Sequence, residues 1–112
     1  MQPSPYWTPE QLRIQARLEA DDTSADVALE LYGKAAIRAI EHYTGRTLYP
    51  PGEALPADAA ANALVADESV QLAALMMVAH WFENPAAVAE GAAAEVPFGF
   101  RFLVEPHRFI NL

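Results

Sequence analysis

The longest hydrophobic run of the chain, Val70–Phe82, predicts a helix that is apolar on nearly every side, because only Gln71 and His80 interrupt it. A helix at the surface of a globular protein has one apolar stripe and a polar opposite face. A chain of 112 residues has a small core in which to bury a helix of this kind. We therefore expect part of its surface to contact a partner subunit.

The flanks of this apolar run predict where the helix begins and ends. Asp67 or Ser69 is placed to cap its first turn. The helix is expected to end near Glu83, because the Asn84-Pro85 pair that follows cannot continue it.

A second helix is predicted over Ala25–Tyr43 from apolar positions that recur at intervals of three and four residues. These positions are Leu29, Tyr32, Ala36, Ile40 and Tyr43, with Ile37 and Ala39 beside them. The preceding segment Asp21–Ser24 predicts a turn and an N-cap. Gly45 is suited to end the helix in the left-handed conformation.

A shorter first helix is predicted from the signal at its N-terminus. Thr8 is placed to cap it, Pro9 suits its first position and Gln11 completes a capping box. Residues 1–7 contain two prolines and form an irregular lead-in. The helix is expected to end near Glu19 or Ala20. Its apolar face is formed by Leu12, Ile14 and Leu18.

The connection Arg46–Ala66 is predicted to be a long loop, because three prolines and Gly52 prevent a helix there. Its part Leu48–Gly52 is compatible with a short extended piece. A connection of this length is uncommon in a compact domain unless it has a function. Contact with a neighbouring subunit is one such function.

The C-terminal third is predicted to contain short elements. A helical turn over Pro85–Glu90 and a flexible linker over Gly91–Glu95 precede a last segment, Phe98–Glu105, which Pro106 ends. The hydrophobic anchors of that segment are Phe98, Phe102, Leu103 and Val104. His107–Leu112 follows as a tail. The fold class predicted for residues 1–112 is a single all-α domain, a small bundle of three to four main helices with a long proline-containing loop and a C-terminal tail.

Composition and charge exclude several classes of function. A net charge of −8 disfavours contact with phosphate backbones, so specific binding of DNA or RNA is not expected. The absence of cysteine excludes disulfides, thiolate catalysis and cysteine-based zinc sites. Val70–Phe82 is shorter than the roughly 20 residues that span a bilayer. Met1–Pro5 lacks the basic and apolar regions of a secretion signal, so we expect none.

The sequence contains no catalytic constellation and no cofactor-binding pattern. Its serines lie at turn or cap positions, and none has a G-x-S-x-G motif around it. His80 and Glu83 are three residues apart on a predicted helix and could present two metal ligands side by side. No further metal-ligand motif accompanies them, so we interpret His80 as filling a polar gap at a helix interface. We expect no catalysis, no cofactor and no tight metal site.

The candidate functional residues are therefore contact residues. Met76, Met77, Trp81 and Phe82 are expected at the core or at a subunit interface, since helical aromatic residues usually pack. Arg46 is expected to bind the helix C-terminus or a subunit. The tail is expected to leave the domain and order on a partner, with folding back onto the domain as the alternative. The complete set is Arg46, Tyr49, Met76, Met77, Trp81, Phe82, Arg108, Phe109, Ile110 and Leu112.

The order of these features resembles the gp6-like head–tail connector family of tailed bacteriophages, whose members are also called adaptors or head-completion proteins. Family members share a tyrosine-threonine-glycine-arginine helix end, an alanine-histidine-tryptophan-aromatic-glutamate helix and a proline-aromatic-glycine near the C-terminus. The matching pieces here are Ala39–Arg46, Val70–Asn84 and Val96–Gly99, followed by Leu103, Pro106 and Arg108. The resemblance extends over roughly Ala25 to Arg108.

This resemblance implies a structural virion protein that is made in the bacterial cytoplasm. Copies would form a ring, dodecameric in the family, between the portal of the capsid and a stopper-type neck or tail protein. DNA would pass through its channel without specific binding. Gene transfer agents contain relatives, so the particle is either a phage or a gene transfer agent. The alternative from another class is a small helical regulatory or antitoxin-like protein that binds one protein partner.

Overall fold

Four α-helices and a two-stranded sheet make up the parts of the chain that the computed structural model describes, residues 4–85 and 98–110. The helices are α1 (Pro9–Gln15), α2 (Asp26–Thr44), α3 (Glu68–Glu83) and α4 (Phe98–Val104), and a 3₁₀ turn, Glu105–His107, follows α4. Strands β1 (Thr47–Tyr49) and β2 (Ala63–Val65) lie between α2 and α3. The helical turn predicted after Asn84 and the linker Gly91–Glu95 fall outside the described residues.

Helix α3 lies at the centre of the fold, because α1, α2 and α4 all pack against it. Its buried residues are Val70, Ala73, Ala74, Met77 and Val78. Asp67 caps its N-terminus by accepting a hydrogen bond from the backbone N–H of Val70, and it ends at Glu83, as predicted. The chain itself buries these five residues, whereas Leu72 is 46% exposed and Trp81 and Phe82 are half-buried. The expected contact of α3 with a partner subunit therefore stays a prediction. Within residues 4–85 and 98–110, no helix combines the length and the apolarity needed to cross a lipid bilayer.

The small sheet corrects the prediction of an all-α fold: the chain is mostly helical but not purely so. β1 and β2 pair in parallel, with Thr47 opposite Ala63 and Tyr49 opposite Val65. The extended piece predicted after Arg46 corresponds to β1, whereas β2 was not predicted. Parallel strands need a crossover of about a dozen residues or more. The length of the connection between β1 and β2 is therefore explained in part by the parallel pairing.

Helix α1 begins as predicted and ends earlier than predicted. Thr8 and Gln11 form the capping box, with Pro9 at the first position. The helix stops at Gln15 because Arg17 adopts a left-handed conformation, φ 64°. The N–H of Leu18 then donates to the carbonyl of Arg13 over 2.9 Å, which completes a Schellman motif. Ile14, predicted on the apolar face, is 62% exposed, while Leu12 and Ala16 are buried.

A partly buried ion pair joins α1 to α2. The side chain of Arg13 is 10% exposed, and its Nε and Nη2 donate to the two carboxylate oxygens of Asp26 over 2.9 and 2.6 Å. A bidentate pair of this geometry fixes both the relative orientation of the two side chains and the distance between them. Its hydrogen bonds hold the pKa of Asp26 below the usual 3.8. Helix α2 follows its predicted range within one residue, although its N-cap is Ala25 without a side-chain hydrogen bond.

Replacement of Arg17 tests the strain at the end of α1. Arg17→Gly should raise the free energy of unfolding by about 0.5–1 kcal/mol, because glycine adopts a positive φ without steric cost. Little is lost with the side chain, which is 86% exposed and lies 3.8 Å from Glu83. Arg17→Ala is the matched control, since alanine removes the same contact but keeps the strain. Equal urea midpoints for the two variants would contradict this account.

The ion pair between Arg13 and Asp26 predicts acid-dependent stability. The folded pKa of Asp26 lies below its unfolded value, so its contribution is present above about pH 4 and is lost as the pH falls through the folded pKa. Asp26→Asn should therefore lower the melting temperature at neutral pH and differ little from the parent near pH 2. Glu19→Gln, which changes an exposed carboxylate, serves as the control. If Asp26→Asn lowers the melting temperature by the same amount at both pH values, the charge of the carboxylate is not the cause.

Candidate functional site

The end of α2, Tyr43–Arg46, forms a tight turn that is stabilised by its own side chains. Gly45 has a φ of 70°, and its N–H donates to the carbonyl of Glu41 over 2.9 Å. Thr44 is buried, and its Oγ1 donates to the carbonyl of Ile40 over 2.7 Å while accepting from the N–H of Arg46 over 3.3 Å. The turn therefore directs the Thr44 carbonyl and the Arg46 side chain away from the helix axis.

The C-terminal segment binds to this turn. The backbone N–H of Phe109 donates to the carbonyl of Thr44 over 2.7 Å, and Nε of Arg46 donates to the carbonyl of His107 over 2.8 Å. The guanidinium carbon of Arg46 lies 5.0 Å from the centroid of the Phe109 ring, within the range of a cation–π interaction. We call the set Tyr43, Thr44, Arg46, His107 and Phe109 the C-terminal clasp.

Tyr43 adds a second attachment to the same segment. Its hydroxyl donates to a carboxylate oxygen of Glu105, and its ring meets the Phe100 ring edge-on at 5.9 Å. The guanidinium carbon of Arg108 lies 5.5 Å from the centroid of the Tyr43 ring. The hydrogen bond raises the pKa of Tyr43 above 10.0 and lowers that of Glu105 below 4.5. At neutral pH a protonated phenol therefore donates to an ionised carboxylate.

His107 extends the clasp to the start of α3. Its Nε2 lies 3.0 Å from Oγ of Ser69 and 3.6 Å from a carboxylate oxygen of Asp67. Partial burial works to raise the pKa of Asp67, but the hydrogen bonds from Ser69 and Val70 outweigh it, so the pKa lies below 3.8. The clasp thus ties together the end of α2, the start of α3 and the segment after α4.

Residues 10–108 match the family model described as phage gp6-like head-tail connector protein. This chain belongs to that family. Membership gives it a structural connecting role in a phage-type virion, with portal and tail proteins as its classes of partner and with oligomerisation as a general property. No curated protein and no solved structure matches the chain.

The tyrosine-threonine-glycine-arginine helix end of this connector-family chain is the half of the clasp that α2 contributes. Arg46, Arg108 and Phe109, three of the residues predicted to make contacts, meet there. The prediction that the chain leaves the domain at His107 is wrong: residues His107–Phe109 are held by hydrogen bonds to the domain. This outcome corresponds to the alternative in which the tail folds back. Beyond Phe109, Ile110 is 73% exposed, and Leu112 lies outside the described residues.

The other predicted contact residues range from buried to half-buried: Met77 follows the core alternative, and a partner contact of the others stays a prediction. Met77 is 3% exposed and belongs to the chain's own core, so it is not available to a partner. Met76 is half-buried where α3 and α4 pack, and a β-carbon on Gly99 would lie 2.5 Å from its methyl group. Trp81 is half-buried with its ring 6.1 Å from that of Tyr32. Phe82 and Tyr49 are also half-buried.

Phe102 is a surface residue that the sequence analysis did not identify. Phe102 was interpreted as an anchor, but it is 74% exposed, whereas Phe100 and Val104 are buried. The signal was present in the sequence, since residues i and i+4 share one face of a helix and residue i+2 points away from it. Applying this spacing from Phe100 would have placed Phe102 outside.

His80, which was predicted to fill a polar gap, is half-buried, and its Nε2 has no hydrogen-bond partner among the described residues. In residues 4–85 and 98–110, no three histidine, aspartate or glutamate side chains converge as a metal site would require.

The clasp predicts that Arg46 controls the order of the C-terminal segment. Arg46→Ala removes the hydrogen bond to His107 and the contact with Phe109, and it should cost about 1–2 kcal/mol of stability. Hydrogen exchange at the Phe109 amide should accelerate more than exchange in α3. Arg38→Ala is the control, since Arg38 is 80% exposed and is paired with Glu41 one turn earlier. Unchanged exchange at Phe109 in the Arg46 variant would show that the clasp does not hold the segment.

Proposed function

We propose that this chain is one subunit of a ring that joins the portal of a phage or phage-like capsid to the neck or tail and continues the DNA channel. The observation that carries the proposal is the family match over residues 10–108, since the matched proteins are head-tail connectors. The match covers both strands, the helices apart from Pro9, and every clasp residue except Phe109. The ring, its subunit number and the channel belong to the proposal.

The charge of the chain supports a passage through which DNA moves freely. Binding to the phosphate backbone depends on clustered lysine and arginine. The chain has seven lysine and arginine residues against fifteen carboxylates, so its net charge is −8. A ring of such subunits repels DNA on average, which suits a conduit better than a binding site.

The end of the described chain supports a contact with the portal. Ile110 is 73% exposed directly after the clasp, and the side chain of Arg108 is 56% exposed. The clasp fixes the backbone at Phe109, so these side chains are held in position before any partner binds. Preorganised apolar and arginine side chains are typical of protein interfaces. We therefore assign the portal contact to Arg108 and Ile110.

Electron microscopy of the purified chain mixed with portal rings tests the proposal. We expect an additional ring of density stacked on the portal and coaxial with it. A stable dimer that leaves the portal rings bare would contradict the proposal, and it is the behaviour expected of a small regulatory or antitoxin-like protein.

Substitution of Ile110 tests the assigned portal contact. Ile110→Asp should leave the melting temperature nearly unchanged, because the side chain is exposed. It should weaken attachment to portal rings by about tenfold or more, because the carboxylate would be desolvated in the contact. Val27→Asp, at a 70% exposed position of α2, is the matched control. Equal attachment of the two variants would place the portal contact elsewhere.

A further inference from the structure

An apolar depression on the surface of α4 remains after the clasp and the portal contact have been assigned. It is lined by Arg101, Phe102, Glu105 and Pro106, and its walls are almost entirely apolar. Phe102, one of its lining residues, is 74% exposed. Exposed aromatic residues beside arginine are typical of the centre of protein interfaces.

The crossover between β1 and β2 presents a complementary feature. The turn at Pro50–Glu53 is closed by a hydrogen bond of 3.4 Å, with Gly52 at φ 81°, and the turn at Pro56–Ala59 by one of 3.0 Å. Leu55 lies between these two turns and is 41% exposed. A crossover needs length but no exposed leucine, so pairing of the strands does not explain this side chain.

The charges around the two features are opposite. Glu53 and Asp58 flank Leu55, both are exposed, and no lysine or arginine occurs between residues 50 and 68. On the other side, Arg101 and Glu105 line the depression, and Glu105 is paired with Arg108 over 3.4 Å, which leaves the positive charge of Arg101 at the depression. Complementary charges around an apolar centre favour one partner and one register.

We infer that the two features meet between copies of the chain: Leu55 of one copy inserts beside Phe102 of the next, with Glu53 and Asp58 facing Arg101. The two surfaces differ, so the contact is heterologous and repeats from copy to copy until a ring closes. The turns at Gly52 and Pro56 hold the loop in its shape before contact, which reduces the entropy lost on binding. This inference rests on the self-assembly in the proposed function.

Cysteine cross-linking tests the contact directly, because the chain has no cysteine of its own. The double variant Leu55→Cys, Phe102→Cys, oxidised at high protein concentration, should give a ladder of dimers, trimers and larger species on a non-reducing gel. Each single variant should give at most a dimer. The matched control is Leu31→Cys, Phe102→Cys, since Leu31 is 64% exposed on α2. We expect the yield of cross-linked species larger than a dimer to be at least tenfold lower in this control.

Charge reversal adds a second readout to the same experiment. Arg101→Glu in the cross-linking variant should suppress the ladder, and the further change Asp58→Arg should restore it. A ladder of equal yield in the Leu31 control, or no ladder from the Leu55 variant, would overturn the inference.

The portal experiment separates this contact from the proposed function. Rings that form on portals without the cross-link between residues 55 and 102 would leave the proposed function standing and refute the contact. Cross-linked rings that leave portals bare would support the contact and refute the proposed function.

Discussion

Gly45 ends α2 with a φ of 70°, and this reversal brings the Thr44 carbonyl and the Arg46 side chain to the C-terminal segment. A β-carbon at Gly45 would lie 3.8 Å from Phe109, an ordinary contact distance, so the need for glycine is conformational and not one of space. Only glycine adopts this backbone routinely. The attachment of residues 105–110, and with it the position of every exposed side chain there, depends on this turn.

The elements whose signals are local could be predicted from the sequence, and those that depend on distant partners could not. The capping box at Thr8, the cap at Asp67 and the end of α2 at Gly45 each involve residues within one turn of each other. Strand β2 has three residues and exists because β1 pairs with it across the long connection. The early end of α1 follows from the positive φ of Arg17, which a residue other than glycine rarely adopts. Neither signal is visible in the local pattern.

The difference between local signals and distant partners also explains why only part of the candidate site was predicted. The family motif at the end of α2 was found, but its role is to hold the chain's own C-terminal segment, so Phe109 is engaged within the chain. Met77 was taken for a contact residue because α3 is apolar on nearly all sides, and three helices of the same chain cover it. A motif that recurs in a family can thus identify the fold without marking the surface that binds partners.

The partial burial of α3 bears on which side chains are available to partners. Much of the most hydrophobic helix is used within the chain, and the large apolar side chains that the fold leaves exposed include Leu55, Leu72, Phe102 and Ile110. Leu55 and Ile110 lie outside helices and strands, where turns or the clasp fix the backbone beside them, whereas Phe102 lies on the short helix α4. A connector must join different neighbours through different surfaces, and a small chain can provide these by using its core for stability and its turns for recognition. In the proposed contact between copies, the acidic loop and Arg101 would give the two surfaces opposite charge, and this difference would set the direction in which successive copies join.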